Sequence, residues 1–300
     1  MASEKDNTIK QYHLHKDEYD KLQFEIYCLK EYLSESEGHA QKPHSHSFYQ
    51  IIWFGKGEGR HFVDFKEYKV EENSIFFIPK GQVHYFDVNE YEGYILHFNE
   101  EFLADDSNDV TIFLKYNIFN SFENEPLFSI AEHFADDFLR LLSQMQDEVL
   151  MPNQFAHKDY LKHLLNLFLI KIQRSGKRNN CKGLSVNNPH HNTYIKFRQL
   201  LENNYRNIHT VNEYASLLNI SAKTLTAYTK EILSQTPLDV INERIVLEAK
   251  RLLSHSGLNI NEIAFLLGFE DPSYFVKFFK RYVKMSPTDF RKLISKNFKD

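Results

Sequence analysis

Two groups of side chains in this 300-residue sequence could do chemistry. The first is a histidine set: His44 and His46, two residues apart, and His84 further along. Three imidazoles alone can hold zinc or iron(II). The second lies near the C-terminus, on two segments that read as helices, Ser221 to Leu233 and Pro272 to Val283. On the first, Leu225, Tyr228 and Ile232 define an inward face, which leaves Lys223, Thr226 and Ala227 outward. On the second, Tyr274, Phe275, Phe278 and Phe279 point in, and Ser273, Val276 and Lys277 point out. Lysine can donate to guanine O6 and N7, and the methyl groups of Thr, Ala and Val can meet the thymine methyl. Lys230, Lys280, Arg281 and Lys284 lie further along and suit phosphates. The sequence has no Gly-rich phosphate loop, Ser-His-Asp set or CxxC pair, so no catalytic residue is assigned.

The elements that must carry the second group form an internal repeat, TVNEYASLLNISAKTLTAYTKEIL from Thr210 and NINEIAFLLGFEDPSYFVKFFKRYV from Asn259. Both contain an (I/V)-N-E start, an alanine (Ala215, Ala264) and a leucine pair (Leu217-Leu218, Leu266-Leu267). Lys230 answers to Lys280 across one inserted residue. Two copies at a fixed offset make chance agreement unconvincing. Thr210 with Glu213 reads as a capping box, and Asn259 with Glu262 as a weaker one. Val211, Tyr214, Ala215 and Leu218 share a helical face, as do Ile260, Ile263, Ala264 and Leu267. Asn219-Ile220 and Gly268-Phe269 make the corners, where a left-handed backbone is needed. Ser221 and Asp271 cap the second helices, with Pro272 at a first helical position. Thr236-Pro237 and Ser286-Pro287 follow each unit. Between the units, Val240, Ile241, Arg244, Ile245, Leu247, Ala249, Leu252 and Leu253 describe one long helix. Its expected role is to hold two recognition helices about one DNA turn, ~34 Å, apart. A helix from Tyr194 to Asn203 opens the region.

The run Arg244…Ala249…Leu252-Leu253 followed by INEIAFLLGFEDPSYFVKFFKRYVKMSPTDFRK, Ile260 to Lys292, resembles the DNA-binding domain of the AraC/XylS family of bacterial transcription regulators. The resemblance implies double-stranded promoter DNA as a partner, RNA polymerase as another, and activation rather than repression.

The front half has a different rhythm. Aromatic and β-branched runs at Tyr49–Phe54, His61–Phe65, Ile75–Ile78, Val83–Phe86 and Tyr94–Phe98 are separated by turn residues, the pattern of a small jelly roll or barrel. Phe24, Ile26, Cys28 and Leu29 suggest an opening strand, and Glu31 to Gly38 a turn. The segment PHSHSFYQIIWFGKGEGRHF…FFIPKGQVHYF is similar to the sensor cupin of AraC-type regulators. The cupin metal pattern is met at His44, His46 and His84 but lacks its carboxylate, because Gln50 stands about where Glu is expected. An empty or effector-binding pocket is therefore expected in place of a metal, with no cofactor. Its walls would come from His44, His46, Gln50, Trp53, His61, His84, Tyr94 and His97, and its occupant would be a small-molecule effector.

From Pro126 to Arg174 the period becomes helical. Phe128, Ala131, Phe134, Phe138, Leu141, Leu142, Met145 and Val149 form one stripe. Tyr160, Leu161, Leu164, Leu165, Phe168 and Ile172 form another. These helices would cover the barrel, and the resemblance implies that one supplies a homodimer contact. Ser175 to Asn192 is polar and aperiodic, a linker in which His190 and His191 are solvated. The expected architecture is α+β in two domains. A cupin-like barrel spans 1–125, a helical extension 126–174 and a linker 175–192, followed by an all-α domain with two helix-turn-helix motifs at 193–300.

Composition agrees with that division. Net charge is −5, but Thr193 to Asp300 carries 16 Lys and Arg against 11 Asp and Glu, and the remainder sums to −10. The basic end is the end with the repeat. Two cysteines, Cys28 and Cys181, offer no disulfide framework, which fits a reducing cytoplasm. The polar N-terminus lacks a signal-peptide pattern, and no apolar run is long enough to span a membrane. Two other classes compete with a regulator: a metal-dependent cupin isomerase or dioxygenase with a DNA module, and a C-terminal bundle that binds protein. The absent carboxylate weighs against the first, and steep salt dependence of binding would exclude the second.

Overall fold

A computed structural model describes residues 10–16, 18, 21–36, 38–103, 119, 125–175 and 189–297. They fall into two compact units, one within Lys10–Lys182 and one whose described part runs from 189 to 297.

Among the described residues the first unit contains ten strands in two five-stranded sheets. In chain order they are β1 (Lys10–Tyr12), β2 (Phe24–Cys28), β3 (His44–His46), β4 (Tyr49–Lys56), β5 (Gly59–Val63), β6 (Lys66–Val70), β7 (Ser74–Ile78), β8 (His84–Phe86), β9 (Glu92–Phe98) and β10 (Leu127–Ser129). One sheet runs β1-β3-β8-β5-β6 and the other β10-β7-β4-β9-β2. Only β1 with β3 is parallel among these pairings. The alternation of side chains along β4 decides what each face does. Ile52 and Phe54 point into a core shared with Val63, Val70 and Phe86 of the other sheet. Ile51 and Trp53 point the opposite way, into a core shared with two helices.

Those helices are α3 (Glu132–Val149) and α4 (His157–Ser175), which pack on one another; α1 (Leu29–Glu35) and α2 (Glu100–Leu103) precede them. Phe138, Leu141, Leu142 and Met145 of α3, with Leu161, Leu165, Phe168 and Ile172 of α4, bury against β2, β4 and β9 residues. Most of both apolar stripes is thus used in covering the sheet. Two expectations need correcting here, and one strand was not foreseen. Leu29–Glu35 is a helix where a turn was expected, its polar residues being the exposed side of a short cover with Leu29 fully buried. Lys66–Val70, with no apolar run to announce it, pairs with β5 as an outer strand. Phe128 belongs to a strand paired with β7, so the helical stripe begins only at Glu132.

The second unit is all helix: α5 (Pro189–Asn204), α6 (Val211–Leu217), α7 (Ala222–Leu233), α8 (Pro237–His255), α9 (Ile260–Leu266), α10 (Pro272–Val283) and α11 (Pro287–Asn297). The repeat is visible in its caps. Thr210 accepts from the Glu213 N–H, Ser221 from Thr224, Asn259 from Glu262 and Asp271 from Ser273. The Asn259–Glu262 box is complete in both directions, and so is one at Thr236 with Asp239. Asn259 thus makes the stronger box, reversing the order expected, because Glu213 bonds the Thr210 hydroxyl. The corners are left-handed, with φ 55° at Asn219 and 80° at Gly268, and both recognition helices end in left-handed residues, Ser234 and Lys284.

Helix α8 packs against α7, α9, α10 and α11, touching both repeats. Its interior is partly ionic. Arg244 donates to Glu202 at 2.7 Å and to Glu248 at 3.1 Å, and lies 3.8 Å from the Tyr205 ring centroid. Glu248 also meets Arg206 at 3.2 Å and Arg251 at 3.6 Å. Burial pushes the Glu248 carboxyl up, but the three guanidinium groups outweigh it and hold it down to about 2. The helix that opens this unit starts at Pro189, so His190 and His191 are helical residues. His190 stacks on Tyr228 with centroids 4.1 Å apart and reaches Glu231 at 2.9 Å. A helix-bound aromatic partner, invisible in the polar sequence, draws the chain into register there.

Candidate nucleic-acid interface and sensor site

Positions 221 to 240 and 271 to 290 are equivalent at an offset of 50, and their burial is nearly the same residue for residue. Leu225 and Phe275 are fully buried at one shared position, Thr229 and Phe279 at the next. Thr229 satisfies its hydroxyl by donating to the Leu225 carbonyl at 2.9 Å, so a polar residue occupies a place that the apolar pattern could not assign. The offset also aligns the outward sets. Lys223 matches Ser273, Thr226 matches Val276, and Ala227 matches Lys277. Lys223, Ala227, Ser273 and Lys277 are exposed, while Thr226 and Val276 are half-buried. Lys230, Lys280, Arg281 and Lys284 are exposed as well, Lys284 standing one residue beyond α10 with its ammonium donating to the Arg281 carbonyl.

Tyr274 departs from the sequence reading. It was expected on the buried face but is 63% exposed, because Phe275 and Phe279 fill the core positions and Phe269 closes the corner. Its phenol therefore stands among the outward residues of α10. The rim of α6 and α9 also exposes apolar groups, Leu217, Phe265 and Leu266.

In the first unit the histidines converge. His44 lies directly across from His84 in the pairing of β3 with β8. Residues two apart share a face, so His46 joins them. Their ligand-capable nitrogens all lie within 4.8 Å of one another, and all three residues are buried. His46 Nε2 is 2.8 Å from His84 Nε2, and His61 Nε2 is 2.9 Å from His84 Nδ1. His44 donates from Nδ1 to the Lys42 carbonyl at 2.8 Å. Burial pushes the His44 imidazole down to about 4 and holds His46, His61 and His84 well below the usual histidine range. All four rings are neutral near pH 7.

On the facing sheet, Gln50 and His97 are cross-strand partners joined at 2.9 Å, and both are buried. Burial lowers the His97 pKa, against the raising effect of Glu25, whose carboxylate is 3.6 Å from Nδ1. His46 and His97 have ring centroids 6.0 Å apart, which brings the two groups together. Trp53 and Tyr94 are not part of this set. Trp53 is three residues from Gln50 and so points to the opposite face, where it stacks on Tyr94 under the helices. Tyr12 and Glu25 do belong, Tyr12 placing its ring edge-on to His44 with centroids 5.6 Å apart. Sequence reasoning gave Tyr12 no role, since only the long-range pairing of β1 with β3 brings it in.

Comparison with known proteins agrees with this division. Residues 31–165 match an AraC-like ligand binding domain family, and residues 214–293 a helix-turn-helix domain family. The transcriptional activator RhaR of Enterobacter sp. (strain 638) is 22% identical over 255 residues, 83% of this chain and 86% of that protein. The HTH-type transcriptional regulator YisR of Bacillus subtilis is 32% identical over 96 residues, so the match spans only 33% of its length. Among solved structures, ToxT from Vibrio cholerae is 15% identical with a TM-score of 0.41, covering 90% of this chain and 97% of that one. Carrying a ligand-binding domain of this type ahead of a doubled helix-turn-helix, the protein belongs to the AraC/XylS family of DNA-binding transcription regulators.

Proposed function

We propose that α7 and α10 enter successive major grooves of one promoter site, and that a ligand in the histidine-lined half shifts the regulator toward an activating arrangement. The observation that carries this reading is the 50-residue register that gives Lys223, Thr226 and Ala227 the same placement as Ser273, Val276 and Lys277. Repetition of an outward surface is what a repeated target such as a double helix selects. Lys230, Lys280, Arg281 and Lys284 then contact phosphates. RhaR and RhaS relatives are described as activators, which favours activation and contact with RNA polymerase here too. Exposed Phe134, Leu139, Tyr160 and Leu167 on α3 and α4 suit a homodimer contact, with their buried neighbours committed to the sheet. No described helix is long and apolar enough to cross a membrane, and a cytoplasmic regulator is the setting proposed. Footprinting of the full chain on DNA upstream of its own and neighbouring genes tests the reading. A discrete protected site is expected, and equal binding to all DNA would overturn it.

A further inference from the structure

We propose that the front half binds one divalent transition-metal ion through His44, His46 and His84, with His61 as the outer partner that fixes His84. Weighing only the missing carboxylate at Gln50, the sequence reading favours no metal; the geometry adds four observations that it could not use. The three candidate ligands converge, with donor nitrogens inside a 4.8 Å span. Tetrahedral ligation at 2.0–2.1 Å places nitrogens roughly 3.3 Å apart, so small side-chain rotations suffice. The tautomer of His44 is set: its Nδ1 faces a carbonyl that can only accept, which leaves Nε2 with a bare lone pair. His84 has the second layer that metal-bound histidines need, with Nδ1 facing His61. Finally, buried polar atoms are left over. His46 Nδ1, His61 Nδ1 and Gln50 Oε1 have no hydrogen-bond partner among the described residues. Orphaned polar atoms at this density mark a place where the folded chain awaits an ion or water.

The four histidines sit on three adjacent strands, β3, β8 and β5, all on one face of the sheet. Strands β3 and β8 have only three residues each. An ion held between them would staple these short strands together. An all-imidazole set favours zinc, copper or nickel over magnesium or calcium. The regulatory consequence, that the ion or a molecule bound to it is the effector, rests on the proposed function; the binding itself does not.

The test uses the full chain, stripped with chelator and titrated with zinc(II) by calorimetry and with cobalt(II) by visible absorption. One ion per chain is expected, with visible bands for cobalt(II) and a rise in the unfolding temperature followed through Trp53, the single tryptophan. His84→Ala and His46→Gln should each weaken binding at least 100-fold, and His61→Ala by about 10–100-fold. Far-UV spectra of these variants establish that they fold. Binding that survives both ligand substitutions in folded protein would overturn the proposal, as would no retained ion in the parent chain. DNA binding by the metal-free chain is measured separately. Its loss in every form would sink the regulator reading and leave the metal site standing.

Discussion

Gly268 packs so closely on the carbonyl of Arg206 that a Cβ at Gly268 would lie 2.0 Å from that oxygen. The corner of the second helix-turn-helix therefore leans on the segment that follows α5. A left-handed φ of 80° adds to the demand for glycine. Gly268→Ala should cost about 2–5 kcal/mol, the sum of backbone strain and overpacking. Asn219 holds the matching corner with φ 55°. Asn219→Gly should move stability by less than about 1 kcal/mol. Urea unfolding followed by the far-UV helix signal checks both, and equal costs at the two corners would refute the close-approach argument.

What the sequence made legible follows from which interactions are local. Caps, corners and the register of the repeat are set within a few residues, so Thr210, Ser221, Asn259, Asp271 and both corners could be read directly. The histidine spacing was readable too, since His44 and His46 share a strand face by alternation alone. The contribution of Tyr12 and the separation of Trp53 from Gln50 needed strand register, which depends on pairing between distant segments. The exposure of Tyr274 was hidden because four aromatic residues within Tyr274–Phe279 compete for two core positions, and helical spacing alone does not choose between them. The start of α5 was missed because His190 is held by Tyr228 and Glu231, about forty residues away.

Base readers and phosphate contacts should separate by their dependence on sequence and salt. Lys277→Ala and Lys223→Ala should each cost about 1–3 kcal/mol of binding to the preferred site and relax sequence preference. Lys230→Ala and Lys280→Ala should weaken binding to all DNA alike and reduce the salt slope by about one each. Fluorescence anisotropy on specific and scrambled duplexes between 50 and 200 mM salt, about the range over which counterion release is steep, measures both effects. Tyr274→Ala tests the exposed phenol: reduced affinity with unchanged unfolding would place it at the interface, and a fall in stability would return it to the core.

The front half should lose stability in mild acid when free of metal. His44 is held near 4 in the fold against about 6.5 when unfolded, and His46, His61 and His84 are displaced in the same direction. A histidine with a lowered folded pKa binds fewer protons folded than unfolded, so its stabilising effect is full above the unfolded value and fades as pH falls below it. Tyr12, His39, Glu25 and His97 are the titratable groups that face the cluster from neighbouring segments. Glu25, the one acid among them, is itself held below the usual carboxylate range: burial raises it, but His97, Tyr27 and His15 together lower it more. His44 alone accounts for a loss of roughly 3 kcal/mol between pH 7 and 4. Chemical unfolding followed by Trp53 fluorescence should show this decline beginning near pH 6.5, and a flat profile down to pH 5 would contradict it.

In the DNA-binding half one carboxylate, Glu248, is shared by three arginines, Arg206, Arg244 and Arg251. Glu248→Gln keeps the shape and removes the charge shared by Arg206, Arg244 and Arg251, while Glu202 stays beside Arg244. Breaking a buried network by deleting one partner costs about 3–5 kcal/mol. Arg251→Ala should cost less, since its contact with Glu248 is the longest of the three at 3.6 Å. With its folded pKa near 2, Glu248 stabilises fully above the ordinary carboxylate range and ceases to as pH falls through it toward 2. Trp53, lying in the other unit, supplies an internal control. The far-UV helix transition should shift to lower urea in Glu248→Gln while the Trp53 transition stays in place. Parallel shifts of both signals would mean that the network acts on more than its own unit.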